Sequence, residues 1–540
     1  MASPQIQVGS GLQGLLKDGY KSLSGVEMAI LKNIEACAEL GKICRSSLGP
    51  NGMNKLLINH LDKVFVTSNA GTILGELEVV HPAAKMIVMA AKNQEEEYGD
   101  YTNFVLTFSS ELLQQAHELL RIGVHPSEII SGYKKAAKKA LEVFDTLVCH
   151  TVQDLRSPEQ VSQAVKSVVA AKQYGYEDLL GSLVAEACQL VMPLSPKAPS
   201  INMDHVRLAK LMGGNIHQTK VLKGMVIRRP PSSIVSRKEN AKIAVFGTAI
   251  ESAQTETKGT VKITSADELK NYNRSEEVLL EEQIKGIRES GVDVVISGGS
   301  ISEMALHFIE KYDLLAVKVT SKFELRRLCR TVGATPLVRL GPCMPDEMGH
   351  CDLVETRELA GGRCVVFQQN DEESAVATII IRSATTSQLD DLERALSDGV
   401  NTVKTLCEDP RMLAGGGACD IALANIIGEM GESTPGLEQY AIKKFAAALE
   451  IIPRILAENA GKDPTEVLSN LYAAHKKGGN TMGVDVETGN VADMKEASIF
   501  DTFAAKYQAL RLASDVAITI LRIDQLIMSK QAGGPKLPKQ

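Results

Sequence analysis

Gly99-Asp100-Tyr101-Thr102-Asn103 runs straight into Phe104, Val105, Phe108, Leu112, Leu113, Ala116, Leu119 and Leu120, apolar residues at helical spacing. The glycine turn therefore opens a long helix with Asp100 at its start. There, free N–H groups and the positive end of the helix dipole favour a phosphate, and a carboxylate can hold Mg2+ against it. Two further glycine-bearing segments lie far away in the chain, Leu48-Gly49-Pro50-Asn51-Gly52 and Ala414-Gly415-Gly416-Gly417-Ala418. Bare backbone amides suit a polyphosphate, so nucleotide binding is the first expectation, although any one of these segments alone reads more readily as a capped turn.

Working outward, residues from about 25 to about 148 keep helical periodicity, interrupted by a β-like stretch at Lys63-Val64-Phe65-Val66, and residues from about 400 to about 530 share that character. The middle differs. Ile243-Ala244-Val245-Phe246, Val292-Asp293-Val294-Val295-Ile296-Ser297, Leu314-Leu315-Ala316-Val317 and Cys364-Val365-Val366-Phe367 are strand-like runs that alternate with helical segments. A helical domain split around an inserted α/β domain follows from the pattern.

At 540 residues the chain has room for roughly three or four domains. A net charge of −7 with mixed signs argues against a general nucleic-acid binder, which needs concentrated Lys and Arg. Met1-Ala2-Ser3-Pro4-Gln5-Ile6 lacks a basic-then-apolar leader pattern, and no run approaches the ~18 apolar residues of a membrane span. A cytosolic protein with no membrane partner is the expectation. The 10 cysteines are scattered singly and read as reduced, buried thiols. His350-Cys351 with Cys343 is the one grouping suggestive of a metal, and without a C-x-x-C pair it supports no zinc site.

The order Leu48-Gly49-Pro50, Val66-Thr67-Ser68-Asn69-Ala70-Gly71-Thr72-Ile73-Leu74, Gly99-Asp100, Glu393-Arg394-Ala395-Leu396-Ser397-Asp398 and Gly415 to Gly417 resembles the group II chaperonins over nearly the whole chain. Finer segments resemble one subunit type of the eukaryotic cytosolic chaperonin: Gly49 to Lys55, Ile58 to Leu61, His81 to Lys85, Gly436 to Lys443, and Ala532 to Pro535. The resemblance implies a multidomain α and α/β subunit in five pieces. These are a helical equatorial domain (1–148 and 405–540), a small intermediate domain (149–217 and 370–404) and an α/β apical domain with client surface and lid (218–369). It further implies related subunits in a hetero-oligomeric double ring, non-native client proteins as partners, and ATP with Mg2+ as cofactors. The tail Gly533 to Gln540 cannot bury a face and is expected to be mobile.

By the same resemblance, Leu48, Gly49 and Pro50 would lie along the base and phosphates, Gly99 would open the phosphate turn, Asp100 would bind Mg2+, and Thr102 and Asn103 would cap the phosphates. Asp398 would position the attacking water, Gly415, Gly416 and Gly417 would let the nucleotide approach, and Asp485 and Asp501 would sit near adenine and ribose. Two positions depart from the family's pattern. Ser68-Asn69-Ala70 puts an amide where a water-orienting carboxylate is usual, and an amide cannot accept the proton. Gly99-Asp100-Tyr101-Thr102 puts a tyrosine where glycine is usual, so its ring either narrows the pocket or turns away, leaving its own N–H for the phosphate. Ser383 after Arg382, where glycine is common, is a milder change.

In the central domain, Asp267 to Leu280 is expected to form a lid-like protrusion, on a helix Ser275 to Arg288 with an apolar stripe at Leu279, Ile284 and Ile287. Ser321 to Arg330 corresponds to the family's groove-forming helix, and its basic face would select acidic or polar client segments. The reading is an ATP-hydrolysing chaperonin subunit. Its main alternative is a ring member with weak or slow turnover, which Asn69 and Tyr101 favour; a small-molecule kinase is distant, since no substrate motif accompanies the phosphate turns.

Overall fold

The computed structural model describes residues 21–23, 26–59, 62–193, 198–251, 265–359, 362–369 and 376–528. The tail expected to be mobile, the N-terminal stretch, and His60 and Leu61 lie outside the described residues, as do the side chains at 267–276 of the lid-like segment. The chain divides into two units, one made of 1–153, 163–177 and 408–540, the other of 154–162 and 178–407.

The first unit is helical. Val26–Arg45, Pro82–Tyr98, Thr102–Ile122 and Pro126–Val143 come from the N-terminal part; Ala418–Ser433, Glu438–Leu449, Pro464–Lys476 and Phe503–Leu521 come from the C-terminal part. Local signals start several of them: the His125 ring accepts from Ser127 N–H ahead of Pro126, and the Asp463 carboxylate accepts from Thr465 N–H ahead of Pro464. The two ends build one core, in which Phe445 meets both Phe108 and Tyr133 edge-on at 5.6 and 5.7 Å between centroids. Ala517, Ile520 and Leu521 are buried in that core, so the apolar run Val516 to Leu521 serves its own unit. Its period is that of a core helix.

A three-stranded antiparallel sheet places Arg411–Ala414 between Val148–Thr151 and Phe500–Thr502, with Leu413 opposite Asp501. Three two-stranded sheets stand apart from it among the described residues: Lys55–Ile58 with Val64–Thr67, Lys21–Leu23 with Leu526–Met528, and Met482–Val484 with Val491–Asp493.

The second unit carries a nine-stranded mixed sheet among the described residues. Its order is Val206–Met212, Ala377–Ser383, Lys220–Ile227, Gly362–Gln368, Gly349–Leu359, Arg237–Phe246, Val294–Ser297 and Leu315–Lys318, with Pro336–Leu337 paired to Arg237–Phe246. Val294–Ser297 is buried on both faces and parallel to both neighbours, which is why it reads as a continuous apolar run. The acid-rich helix spans Ala266–Glu289, longer than the sequence suggests. Its core stripe is Leu280, Ile284 and Ile287; Leu279 faces outward, one residue off the expected register.

Candidate functional site

Gly99 closes the helix Pro82–Tyr98 at φ +76°, and Tyr101 enters the helix Thr102–Ile122 at φ +65°. For a tyrosine this left-handed conformation costs about 1–2 kcal/mol, because Cβ crowds the following carbonyl. Asp100 Oδ1 accepts from Tyr101 N–H at 2.7 Å, which turns the carboxylate back over the helix start. Burial raises the Asp100 carboxyl above its ordinary range, and the nearby Lys172 ammonium opposes that rise.

The Tyr101 ring is half-buried and packs against the helical core, edge-on to Phe104 with centroids 6.3 Å apart. Its phenol lies beside the Asp501 and Thr502 side chains, and burial followed by the Asp501 and Asp100 charges holds it well above an ordinary phenol. Its own N–H is taken by Asp100.

Asp501 belongs to a buried charge network. Lys506 Nζ donates to Asp501 Oδ2 at 2.8 Å and to Asp420 Oδ2 at 2.9 Å. Burial works against the Lys506 charge, and Asp420 and Asp501 more than offset it, so the ammonium stays protonated well above its ordinary range.

The glycine run reaches the same place. A Cβ on Gly415 would lie 3.4 Å from Asp501 Oδ1; on Gly416 (φ +60°) it would meet Met494 Sδ at 2.6 Å, and on Gly417 (φ +78°) it would meet Pro453 Cβ at 2.8 Å. Close packing within the protein therefore already requires glycine at 416 and 417. Three helix starts, Thr102, Ala418 and Phe503, are brought together around Asp501, and none is closed by a side-chain cap. Uncapped amides and three positive dipole ends make this an anion-favouring corner of the unit.

The Leu48-Gly49-Pro50 turn abuts the corner. The Asn103 side chain donates to Cys44 O and Ser47 Oγ, both at 3.3 Å, and Asn459 holds Leu48 O at 2.8 Å. Asn103 Oδ1 also accepts from Thr107, so its amide already ties two elements together. Thr102 is buried at the first position of its helix. Asp485 braces its own turn, accepting from Glu487 N–H and Thr488 Oγ1, and Asn51 Nδ2 donates to Val486 O at 3.2 Å, joining that turn to the first.

Asn69 is the N-cap of the helix Ala70–Glu76, accepting from Gly71 N–H at 3.3 Å and donating to Thr72. A Cβ on Gly71 would strike the Glu95 carboxylate at 2.0 Å, so this cap packs one helical turn from Gly99. Asp398 lies in the second unit on the helix Thr386–Glu408 and is 7 % exposed, which removes the reading of it as a solvated acid. Ser383, also in that unit, is buried with its hydroxyl on Gln388.

Sequence reasoning passed over Lys172, Asp420 and Lys506. The last two carried a legible signal: each is a charge on an apolar helix face, Asp420 among Ala418, Cys419 and Ile421, and Lys506 beside Ala505 and Ala509. Lys172 follows a helix end with no motif of its own. Cys343 and Cys351 sit in separate core clusters, and the described residues hold no group of three metal-ligating side chains. Burial pushes the Cys351 thiol up to about 12, far from the thiolate a metal needs.

In the second unit, the helix Lys322–Val332, capped by Ser321, borders a groove of about 390 Å³ lined by Leu325, Cys329, Ala334 and Pro336 with Lys322, Arg326 and Arg330 at hand. Arg327 pairs with Asp204 at 3.2 Å, Arg330 meets His205 Nε2 at 3.1 Å, and Glu324 holds Arg207.

Residues 40–531 match the TCP-1/cpn60 chaperonin family. The chain is 48 % identical over 529 residues to T-complex protein 1 subunit theta of Dictyostelium discoideum, covering 98 % of both chains. It is 49 % identical over 530 residues to the Homo sapiens theta subunit and 47 % over 528 residues to that of Arabidopsis thaliana, covering 98 % and 97 % of this chain and 96 % of each relative. Theta is the subunit type that the finer sequence segments resemble.

Proposed function

The chain belongs to the TCP-1/cpn60 chaperonin family, and from that premise we propose that it is a theta-type subunit of a hetero-oligomeric cytosolic ring that folds clients with ATP and Mg2+. Among the described residues no helix is long and apolar enough to cross a membrane. The observation that carries the nucleotide reading is the meeting of three uncapped helix starts with Asp100 and Asp501. In this reading Asp100 holds Mg2+, the amides at 102, 416, 417 and 503 face the phosphates, and Asn69 orients the attacking water; Asp398 keeps the catalytic role that the resemblance gives it. Mg2+ would neutralise phosphate charge there.

Assembly is supported by the hairpin Lys55–Ile58 with Val64–Thr67. Leu56, Ile58 and Val64 are 66, 65 and 57 % exposed, and a two-stranded ribbon with bare apolar side chains and open edges is not a finished surface. The groove along Lys322–Val332 takes the client segment, and Phe323 on the same helix is 76 % exposed.

The test is ATP cleavage by this subunit inside an assembled ring whose other sites are hydrolysis-dead. Turnover at the rate of its neighbours supports the first reading. Binding with negligible turnover supports the second, a ring member of structural and client-binding role, which the Asn69 amide and the engaged Tyr101 favour. A stable, functional monomer in cell extract would overturn both.

A further inference from the structure

Residues 163–177 belong to the helical unit, although the chain on both sides of them belongs to the other. The helix Pro158–Ala170 ends there, a short strap follows, and the helix Glu177–Val191 begins at its far end. Two side chains moor this stretch to elements 333 and 313 residues along the chain: Ser167 Oγ donates to Phe500 O at 2.5 Å, and the Tyr174 hydroxyl donates to Glu487 Oε1 at 2.6 Å. Each mooring stands beside the anion-favouring corner. Phe500 opens the strand that leads into the helix start at Phe503, and the Glu487 turn follows Val484, whose N–H donates to Gly416 O at 2.9 Å. We propose that the strap 171–176 gates nucleotide passage into and out of the corner, with the Tyr174–Glu487 hydrogen bond as its latch. The proposal rests on the nucleotide reading above and names how traffic at that site is regulated.

The two moorings differ in kind. Ser167 is half-buried and bonds a backbone carbonyl from within its helix, which fixes the base of the strap. Tyr174 is 42 % exposed and Glu487 is exposed as well, so the bond at the tip competes with water and opens at small cost. Ties that fix the corner itself, such as Lys506 to Asp420, are buried instead. The Glu487 carboxylate, ahead of burial, pushes the Tyr174 phenol up to about 12, so the hydroxyl remains a donor across the neutral range. Glu487 is held ready for it: its N–H donates to Asp485 Oδ1 at 3.0 Å, in a turn that Asn51 ties through Val486 O to the Leu48-Gly49-Pro50 segment. Gly175 supplies the hinge. It adopts φ +88°, and a Cβ there would meet nothing within 4 Å, so glycine serves backbone freedom rather than space. A firm base, a hinge glycine and a breakable bond at the tip are the parts of a gate.

Photolabelling with 8-azido-ADP tests the latch on the purified assembly, with this chain resolved from its neighbours by gel. Entry is timed by flashing at intervals after mixing, and exit by flashing at intervals after a chase of unlabelled ADP. Tyr174→Phe removes only an exposed hydroxyl. A latch that holds the strap without touching the ligand slows both directions alike, so entry and exit should each speed up about three- to tenfold, with half-saturation changed by less than about twofold. Glu487→Gln weakens the same bond from its other side, and adding Tyr174→Phe to it should bring less than the sum of the two single effects. Entry and exit rates unchanged in Tyr174→Phe overturn the proposal. Faster exit with unchanged entry overturns it as well, because that is a lost contact to the nucleotide rather than a gate. Fully additive single effects dissolve the pair as a latch. If neighbouring subunits label and this chain labels in no variant, the nucleotide reading itself fails and the proposal with it.

Discussion

Lys506 in the helical unit and Arg327 in the α/β unit each form an ion pair of ordinary length, 2.9 Å to Asp420 and 3.2 Å to Asp204, yet Lys506 is 2 % exposed and Arg327 33 %. The same contact does different work in the two places. Around Lys506 the charges have left water and hold one another, so they fix the position of Asp501 and, through it, of the corner where three helices begin. Along Lys322–Val332 the charges stay hydrated and half-committed, which leaves them able to change partners. Charge builds a site in one unit and presents a surface in the other.

The largest expected effect breaks that contrast if it fails. Lys506→Met leaves Asp420 buried without a counter-charge and should cost about 3–5 kcal/mol of stability. Arg327→Ala removes a pair exposed on both sides and should cost about 0–1 kcal/mol. Denaturant melts of the full chain decide; equal losses would mean that burial does not distinguish the two pairs. Asp100→Ala comes next. If its carboxylate is the protein's ligand for Mg2+, Mg2+-dependent nucleotide affinity should fall about a hundredfold, on the order of 2.7 kcal/mol. Direct binding of Mg·ATP unchanged by the substitution would remove Asp100 from the metal role.

The contrast was only partly legible beforehand. Helical and strand periods marked the two kinds of unit, because a core helix and a sheet buried on both faces leave different spacings of apolar residues. Register at single positions escaped that reading, as Leu279 and Leu280 illustrate: adjacent leucines satisfy the same pattern, and only packing decides which goes in. The glycine run was legible as a motif but ambiguous in cause. Its tightness at 416 and 417 against Met494 and Pro453 involves residues distant in sequence, so no spacing rule exposes it. Tyr101 stood out as a departure, whereas its closeness to Asp501, far along the chain, required the fold.

A third prediction concerns Asn69, which lies at the corner's edge as a helix cap. Asn and Asp cap helices about equally well, so Asn69→Asp should leave folding unchanged. If that side chain acts on the attacking water, restoring a carboxylate should speed single-turnover ATP cleavage by up to about 10²-fold with little change in affinity, since only the transition state gains. An unmodified subunit that already cleaves as fast as Asn69→Asp would make the amide a tolerated cap in a working ATPase.

The smallest effect belongs to the exposed helix and is the most sensitive to conditions. Arg327 and Arg330 are already engaged by Asp204 and His205, whereas Lys322 and Arg326 line the groove with no ion-pair partner among the described residues. An acidic segment docking there therefore meets Arg326 first. A rim charge acts mainly on encounter and is screened beyond about 8 Å at physiological salt, so Arg326→Ala should weaken capture of an acidic, leucine-bearing peptide by only about two- to fivefold. The difference should shrink as salt is raised, because hydrated charges lose their reach while the apolar lining from Leu325, Cys329 and Ala334 does not. Lys506→Met should respond to salt hardly at all, since buried charges are poorly screened. A salt-independent loss in Arg326→Ala would place that arginine with the buried kind, a structural prop of the groove rather than its recognition edge.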